Sequence, residues 1–488
     1  MDAAATLRAP SRLAARVLDA RLLVHLPVAA LVAAYALRFS VLTVSVYDGY
    51  GTPPYDMSIP DQGIWLLSRL HAPFSTVMGR DVMADHTSFI FALLVPLFWV
   101  YPHAAALLVA QSVMLAAAAI PIYLYALRRL DSPAMATALA AAYLLNPALQ
   151  WGNLEQFHVE CFTVLLVSVG LYAALESRFR LLVVCVGLLF LCKEDVGLVA
   201  APLALWVAWR RNRRLGAGLL AATAAWSVAA SSIIYAMVGM INVHTGRLPF
   251  GGAGGTVRTA LAHPGKFFSY LRSGGRPFYL WQMLSSVGLV LVRAPEIAAL
   301  CVLTLAVNVI TSFGYEHQIA YHYSMPPVPI LVMGTAFAIG ALRSRRSRTV
   351  ATGVVLGCAV VTCYLWGLAP FSRHTYPHLS PASAEVRDID SVLAKLPSHA
   401  VVSAYYPYVA HLDHRSGIYM WPNPFRAEYW NTFHQEGQRL PVADQVEWLV
   451  LPTDLSEADG AATFGSIAGS FHVVARAGGV ALYQRNGP

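Results

Sequence analysis

The segment YDMSIPDQGIW (55–65) places two carboxylates, Asp56 and Asp61, just after the first long apolar run of the chain. A carboxylate held beside a reacting hydroxyl can act as a general base. The plainer alternatives are a turn residue for Asp56 and a helix N-cap for Asp61, since Pro60-Asp61-Gln62-Gly63 reads as a helix start. Other chemistry-bearing side chains gather in a few short stretches. Asp85-His86 precedes an apolar run that either residue could cap. WGNLEQFHVE carries Glu155, His158 and Glu160, whose alternate spacing suits a divalent cation or ordinary loop polarity. YEHQIAYHY (315–323) carries His317, Gln318 and His322; two histidines five apart are not an i,i+4 ligand pair on one helix, so a structural or substrate contact is the reading.

Lys193-Glu194-Asp195 is the least loop-like group, because it lies between two apolar segments. Charges there are costly and usually face a cavity. Lys193 suits an anionic phosphate, oriented by Glu194 or Asp195; the alternative is an ion pair that ties two helices. Arg38, inside the first apolar run, either snorkels to the headgroups or meets a lipid phosphate.

The elements that must position these groups are set by composition. Of 488 residues, 57% are hydrophobic and only 12% charged, with mean hydropathy +0.54. Soluble domains carry roughly a quarter charged residues, so most of the chain must face lipid or other apolar helices. The net charge of +8 is not a nucleic-acid footprint. The arginines form short clusters between apolar runs, as the positive-inside rule requires. Arg8, Arg12, Arg16, Arg21, Arg128-Arg129, Arg178 with Arg180, RRNRR (210–214), Arg293 and RSRRSR (343–348) then lie in the cytoplasm. Loops 47–103, 151–160, 193–195, 241–278, 313–323 and everything after 370 lie outside.

That assignment forbids the stretch 86–101 from crossing; it is short, contains Pro96, and reads as a re-entrant or surface helix. Eleven spans remain, at about 22–46, 104–127, 133–150, 161–176, 181–192, 196–209, 215–240, 279–293, 297–312, 324–342 and 349–369. The first is read as an uncleaved span. The six cysteines (161, 185, 192, 301, 358, 363) lie in or beside apolar segments and read as inert thiols.

The expected class is therefore mainly α, a polytopic helical bundle over 1–370 with a small extracytoplasmic α/β domain over 371–488. In that second part 381–397 has helical periodicity, while 400–404, 446–452 and the pair within 471–485 read as strands, the last two joined at Ala-Gly-Gly.

The series YDMSIPDQGIW, ADH (84–86), Gln111, YLLNPALQWGNLEQFHVE (143–160), LCKEDVGL (191–198) and SAYYPYVAHLDHRSGIYMWP (403–422) resembles a bacterial family of polytopic membrane proteins known as a domain of unknown function. That family in turn resembles the GT-C glycosyltransferases, with an acid and juxtamembrane helices in the first outer loop, a second polar loop and a soluble C-terminal domain. The resemblance implies an inverting transfer of sugar from a polyprenyl-phosphate donor to an extracytoplasmic glycan, lipid or protein, at a bacterial cytoplasmic membrane. It implies Asp56 as general base with Asp61 as rival, and Lys193, Arg276, Arg38 and Arg272 as candidates for the departing phosphate. No Asp-x-Glu pair stands in the second loop, where His158 occupies the middle, so a divalent metal on Glu155, His158 and Glu160 is left open.

Two other classes compete. A transporter or flippase of a lipid-linked or polar solute would use Lys193, Glu194 and Arg38 along a path, but no inverted repeat is visible. A non-catalytic scaffold would use the aromatic stretches YYPY (405–408), YMWP (419–422) and AEYW (427–430) for binding.

Overall fold

The computed structural model describes residues 23–240, 244–429 and 433–487. The arginines at 8, 12, 16 and 21, with the start of the first expected span, lie outside them, as does Trp430.

Apolar composition over long runs makes helix the only backbone form that satisfies its own hydrogen bonds in lipid. Among the described residues, five helical segments are long and apolar enough to cross a membrane: Leu26–Asp48, Ala104–Leu130, Arg213–Val238, His322–Gly340 and Arg345–Trp366. Shorter apolar helices follow the same pattern at Pro133–Leu144, Glu160–Leu175, Phe179–Phe190, Gly197–Arg210 and Pro295–Ile310. Local signals fix their ends. Ser132, Asn212 and Ser344 each accept a hydrogen bond from a backbone N–H of the first turn they precede. Glu160–Leu175 is buried along almost its whole length and forms the centre of the bundle, whereas Arg213–Val238 turns most of its surface outward.

Several boundaries differ from the sequence reading. The expected span at 133–150 ends at Leu144, and a new helix begins at Pro147, because Asn146 caps it through Ala148 N–H and Pro147 fits its first turn. WGNLEQFHVE is therefore largely the end of one helix, a turn, and the start of the next. The expected span at 279–293 is a helix over Arg276–Ser285 followed by an irregular stretch, since Gly288 and Leu289 both take positive φ (62° and 58°). The segment 86–101 folds as a 3₁₀ helix at Phe89–Leu94 and a short α-helix at Val95–Val100. Together they fall well short of the ~20 residues that span a bilayer. Asp61 is not an N-cap. The helix here, α1, runs Pro54–Ser68 with Pro54 at its first turn, so Asp61 stands in its middle beside the internal Pro60.

The C-terminal part contains a five-stranded sheet. With β1 (Phe74–Ser75) and β2 (Arg80–Asp81) as a small hairpin before it, the sheet comprises β3 (Val402–Ala404), β4 (Ile418–Met420), β5 (Trp448–Pro452), β6 (Phe471–Ala477) and β7 (Val480–Arg485). Its order is β4-β3-β5-β7-β6, with β3 parallel to β4 and β5 and the last pairs antiparallel. Gly478 and Gly479 both hold positive φ (56° and 74°), which the tight β6–β7 hairpin requires. Helix Ala384–Leu393 packs its Ile389 and Val392 against this sheet. The edge strand β4, which the sequence did not suggest, is short and ends at Met420, just before Trp421-Pro422.

The sheet docks on the first loop by direct bonds. Tyr47 Oη donates to the Ala410 carbonyl (3.0 Å), Gln62 Nε2 to the Arg415 carbonyl (3.0 Å), and Ile418 N–H to Thr76 Oγ1 (3.0 Å).

Candidate functional site

Helix α1 begins at Pro54, so Asp56 sits in its first turn, where the helix dipole favours a carboxylate. Pro60 has no N–H to offer the Asp56 carbonyl, which loosens the turn that carries the acid. Asp56 lines a cavity of about 120 Å³ together with Tyr55, Arg80, Asp85, His86, His158, Glu160, Lys193, His244, Arg247, His322 and Tyr323. A second cavity, about 350 Å³, shares His86, Glu160, Lys193, His244, Arg247 and Tyr323 with it. Its other walls include Glu194, Asp195 and Glu316 but also Val196, Leu198, Val199, Leu248 and Val307. The two spaces therefore meet at Lys193 and Arg247.

Each fixed cation is held by an acid. Arg80, buried at the hairpin, pairs with Asp85. Lys193 Nζ donates to Glu160 Oε1 at 3.0 Å and lies 3.8 Å from Asp195 Oδ2. Arg247 donates to Glu316 Oε1 and Tyr323 Oη, both at 3.1 Å, and covers the Phe313 ring at 4.2 Å. His86 Nδ1 is 2.9 Å from Glu194 Oε1. Six carboxylates (Asp56, Asp85, Glu160, Glu194, Asp195, Glu316) and three fixed cations (Arg80, Lys193, Arg247) line the two cavities.

Burial raises the Asp56 carboxyl above the usual carboxylate range; nearby His158 opposes this and Glu155 adds to it. Burial also pushes Glu155 up to about 7, against the pull of His158 and the His322 N–H. Asp85 goes the other way, because His86 and Arg80 outweigh its desolvation and hold it ionised. Lys193 stays charged: desolvation opposes its charge, but Glu160, Asp195 and Glu194 more than offset that.

Beside Asp56, the turn after helix Pro147–Glu155 brings His158 to Glu155, and the short turn His322–Ser324 brings His322 to the same acid. Gln111 shapes the first of these turns by donating to the Asn153 (3.0 Å) and Gln156 carbonyls and accepting from His158 N–H (2.8 Å). Glu155 Oε2 lies 3.2 Å from His322 Nδ1 and 3.6 Å from His158 Nε2, and the two imidazoles stack with centroids 3.7 Å apart. His158 Nε2 is buried without a hydrogen-bond partner, and all three ligand atoms lie within 4.8 Å of one another. Glu155, His158 and His322 thus fit a divalent cation. Glu160, the third member of the sequence-based set, instead holds Lys193.

The expected site residues separate into groups. Asp56, Asp85, His86, His158, Glu160, Lys193 and His322 line the first cavity, with Glu155 behind the two histidines; Glu194 and Asp195 line the second. Arg276 is buried but gives its donors to the carbonyls of Val309 (2.7 Å), Thr311 (2.8 Å) and Ser273 (3.1 Å) and to Tyr270 Oη (2.6 Å). His317 lies beside it, Gln318 donates to the Gly314 carbonyl, and Arg272 to its own helix at Phe268. Arg38 lines a separate cavity with Ser45, Tyr376 and His378. Asp61 faces away from Asp56. Residues missed in the sequence are Arg80, Arg247, His244 and Tyr323. Arg80 shares its loop with Arg69, and Arg247 shares its own with Arg258, Arg272 and Arg276, so no local signal singled either out.

The fold defines the class: a mainly helical membrane-protein architecture with a small C-terminal sheet. It superimposes on the crystal structure of ArnT from Cupriavidus metallidurans bound to undecaprenyl phosphate, with TM-score 0.54 and 12% identity, covering 93% of this chain and 97% of that one. The apo state of the same ArnT matches with TM-score 0.50 and 12% identity, over 92% of this chain and 98% of that one. In sequence, the chain belongs to the family described as Predicted membrane protein (DUF2079), whose model matches residues 52–482. No curated protein matches it.

Proposed function

We propose that the protein is an inverting membrane glycosyltransferase that takes a sugar from a polyprenyl-phosphate donor and passes it to an extracytoplasmic acceptor. The observation that carries this reading is the junction of the two cavities. Lys193 and Arg247 stand between the space that holds Asp56 and a space with apolar walls. A lipid phosphate fits that junction, with the cations meeting its charge and the chain lying along Val196, Val199 and Val307. ArnT, which shares the fold, was crystallised with a lipid phosphate of this kind.

In the reaction, an acceptor hydroxyl gives its proton to Asp56 as its oxygen bonds to the sugar C1. The C1–O bond to phosphate breaks on the opposite face, and the polyprenyl phosphate leaves with the electron pair. A carboxyl raised by burial is the stronger base, and the opposing cations stabilise the charge that develops on the leaving group. A cation on Glu155, His158 and His322 would add Lewis-acid charge beside that carboxylate.

The test is transfer from labelled polyprenyl-phosphate sugar in proteoliposomes. Asp56→Asn is expected to lose about 10²–10⁴-fold, the range of a general base, whereas Asp61→Asn retains transfer. Wild-type turnover in Asp56→Asn would overturn the assignment.

A further inference from the structure

One buried cluster of acids lies outside the cavities. On α1, Asp61 is about 140° around the helix from Asp56 at 100° per residue, so it faces the C-terminal domain rather than the cavity. There it meets Asp413 and His414. Asp61 is 1% exposed and Asp413 2%. His414 Nε2 lies 3.0 Å from Asp61 Oδ1 and 4.0 Å from Asp413 Oδ1. The second oxygens of both acids, Asp61 Oδ2 and Asp413 Oδ2, are buried with no hydrogen-bond donor. An ionised carboxylate only accepts, so two abutting buried carboxylates need a cation or a shared proton between them. Among the described residues no lysine or arginine makes an ion pair with either acid. Arg415, the neighbour in sequence, gives its donors to the Leu412, Pro397 and Ala400 carbonyls.

The geometry suits a metal. Zinc bonds of about 2.0–2.1 Å in a tetrahedron place ligand atoms about 3.3 Å apart. The two distances from His414 Nε2 bracket that value, and one ligand atom from each residue lies within 4.8 Å of the others. The His414 ring is oriented by Trp65 and Phe98, whose centroids lie 5.7 and 5.8 Å away, and its side chain is 27% exposed, which leaves a route for an ion. Ser58, one turn before Asp61 on the same face, offers a hydroxyl near Asp413 for a fourth position. Without a cation, burial and the Asp61 charge drive the Asp413 carboxyl far above its usual range, so it would hold a proton instead.

We propose that Asp61, Asp413 and His414 bind one divalent cation of the zinc type, which fastens the C-terminal domain to the helix that carries Asp56. This site is distinct from the Glu155 cluster and does not depend on the proposed transfer reaction.

The test uses the full-length protein in detergent, stripped with chelator and titrated with Zn²⁺ alone. Bound zinc is counted by elemental analysis, and the thermal midpoint is followed. Asp413→Asn, nearly isosteric and neutral, is expected to bind one equivalent fewer per chain than wild type and to lose most of the zinc-dependent rise in midpoint. His414→Gln, at a part-exposed position, should lose the same equivalent and serves if Asp413→Asn folds poorly. Zinc stoichiometry unchanged in both variants would overturn the proposal. So would an Asp413→Asn protein more stable than wild type with no effect of zinc on wild type, which is the signature of a shared proton.

Discussion

Lys193 allows its structural and catalytic roles to be separated by one double-mutant cycle. The residue is 7% exposed and its ammonium lies 3.0 Å from Glu160 Oε1. At an effective dielectric of about 20 the Coulomb attraction at that distance is roughly 5–6 kcal/mol. Desolvation of both ions offsets much of it, and removing one partner of such a pair costs about 3–5 kcal/mol because the other is left buried and uncompensated. Lys193→Met should therefore lower stability by that amount, read as a fall in thermal midpoint in detergent. Adding Glu160→Gln removes the stranded charge and should recover most of the loss. Transfer should respond differently. If Lys193 meets the leaving phosphate, both the single and the double variant lack the cation, and both should transfer about 10²–10³-fold more slowly, the usual cost of removing one such stabilising group. Recovery of transfer together with stability in the double variant would refute the reasoning and leave Lys193 as a tie between helices.

Other perturbations should act as follows. Arg276→Lys is expected to destabilise by about 1–3 kcal/mol, since several buried carbonyls lose donors, while transfer per folded molecule stays within a few-fold of wild type. Gly49→Ala would place a methyl 2.1 Å from the Leu379 carbonyl oxygen, a backbone atom that cannot swing aside. It should cost about 1–3 kcal/mol in thermal unfolding. Burial and Lys193 disfavour the charged form of His86, but Glu194 and Asp85 outweigh them and raise its folded value. The pair with Glu194 thus stabilises fully below the ordinary histidine value of 6.5 and loses that contribution as pH rises through the raised folded value. Thermal midpoints of wild type minus Glu194→Gln, taken from pH 6 upward, should shrink accordingly, and a flat difference would contradict the ion pair.

What could be read from the sequence was set by contrast against an apolar background. Lys193-Glu194-Asp195 stands out because charge beside apolar runs is costly, and Glu155, His158 and Glu160 by their spacing; all but Glu155, which lies behind His158 and His322, line the cavities. Strand patterning at 446–452 and 471–485 was equally clear, because short runs rich in β-branched and aromatic residues and the Gly478-Gly479 turn are local signals. Tertiary pairing was not legible. Nothing local distinguishes Arg276, which binds interior carbonyls, from Arg247, which faces the cavity. His322 meets Glu155 across 167 positions of sequence, so spacing alone could not bring them together. Asp61 misled as a cap because Pro60 normally marks a boundary, yet Pro54 had already started the helix. Its actual neighbours, Asp413 and His414, lie more than 350 residues away.

The proposed transfer requires a donor phosphate bound where the two cavities meet, opposite Asp56. The most direct measurement is a cryo-electron microscopy structure of the protein with a polyprenyl phosphate in lipid nanodiscs. Phosphate density is expected within about 3 Å of Lys193 Nζ or the Arg247 guanidinium, the reach of a charge-assisted hydrogen bond, with the lipid chain along Val196, Val199 and Val307. Phosphate density in the separate cavity beside Arg38 and His378, with the Asp56 cavity empty, would contradict it.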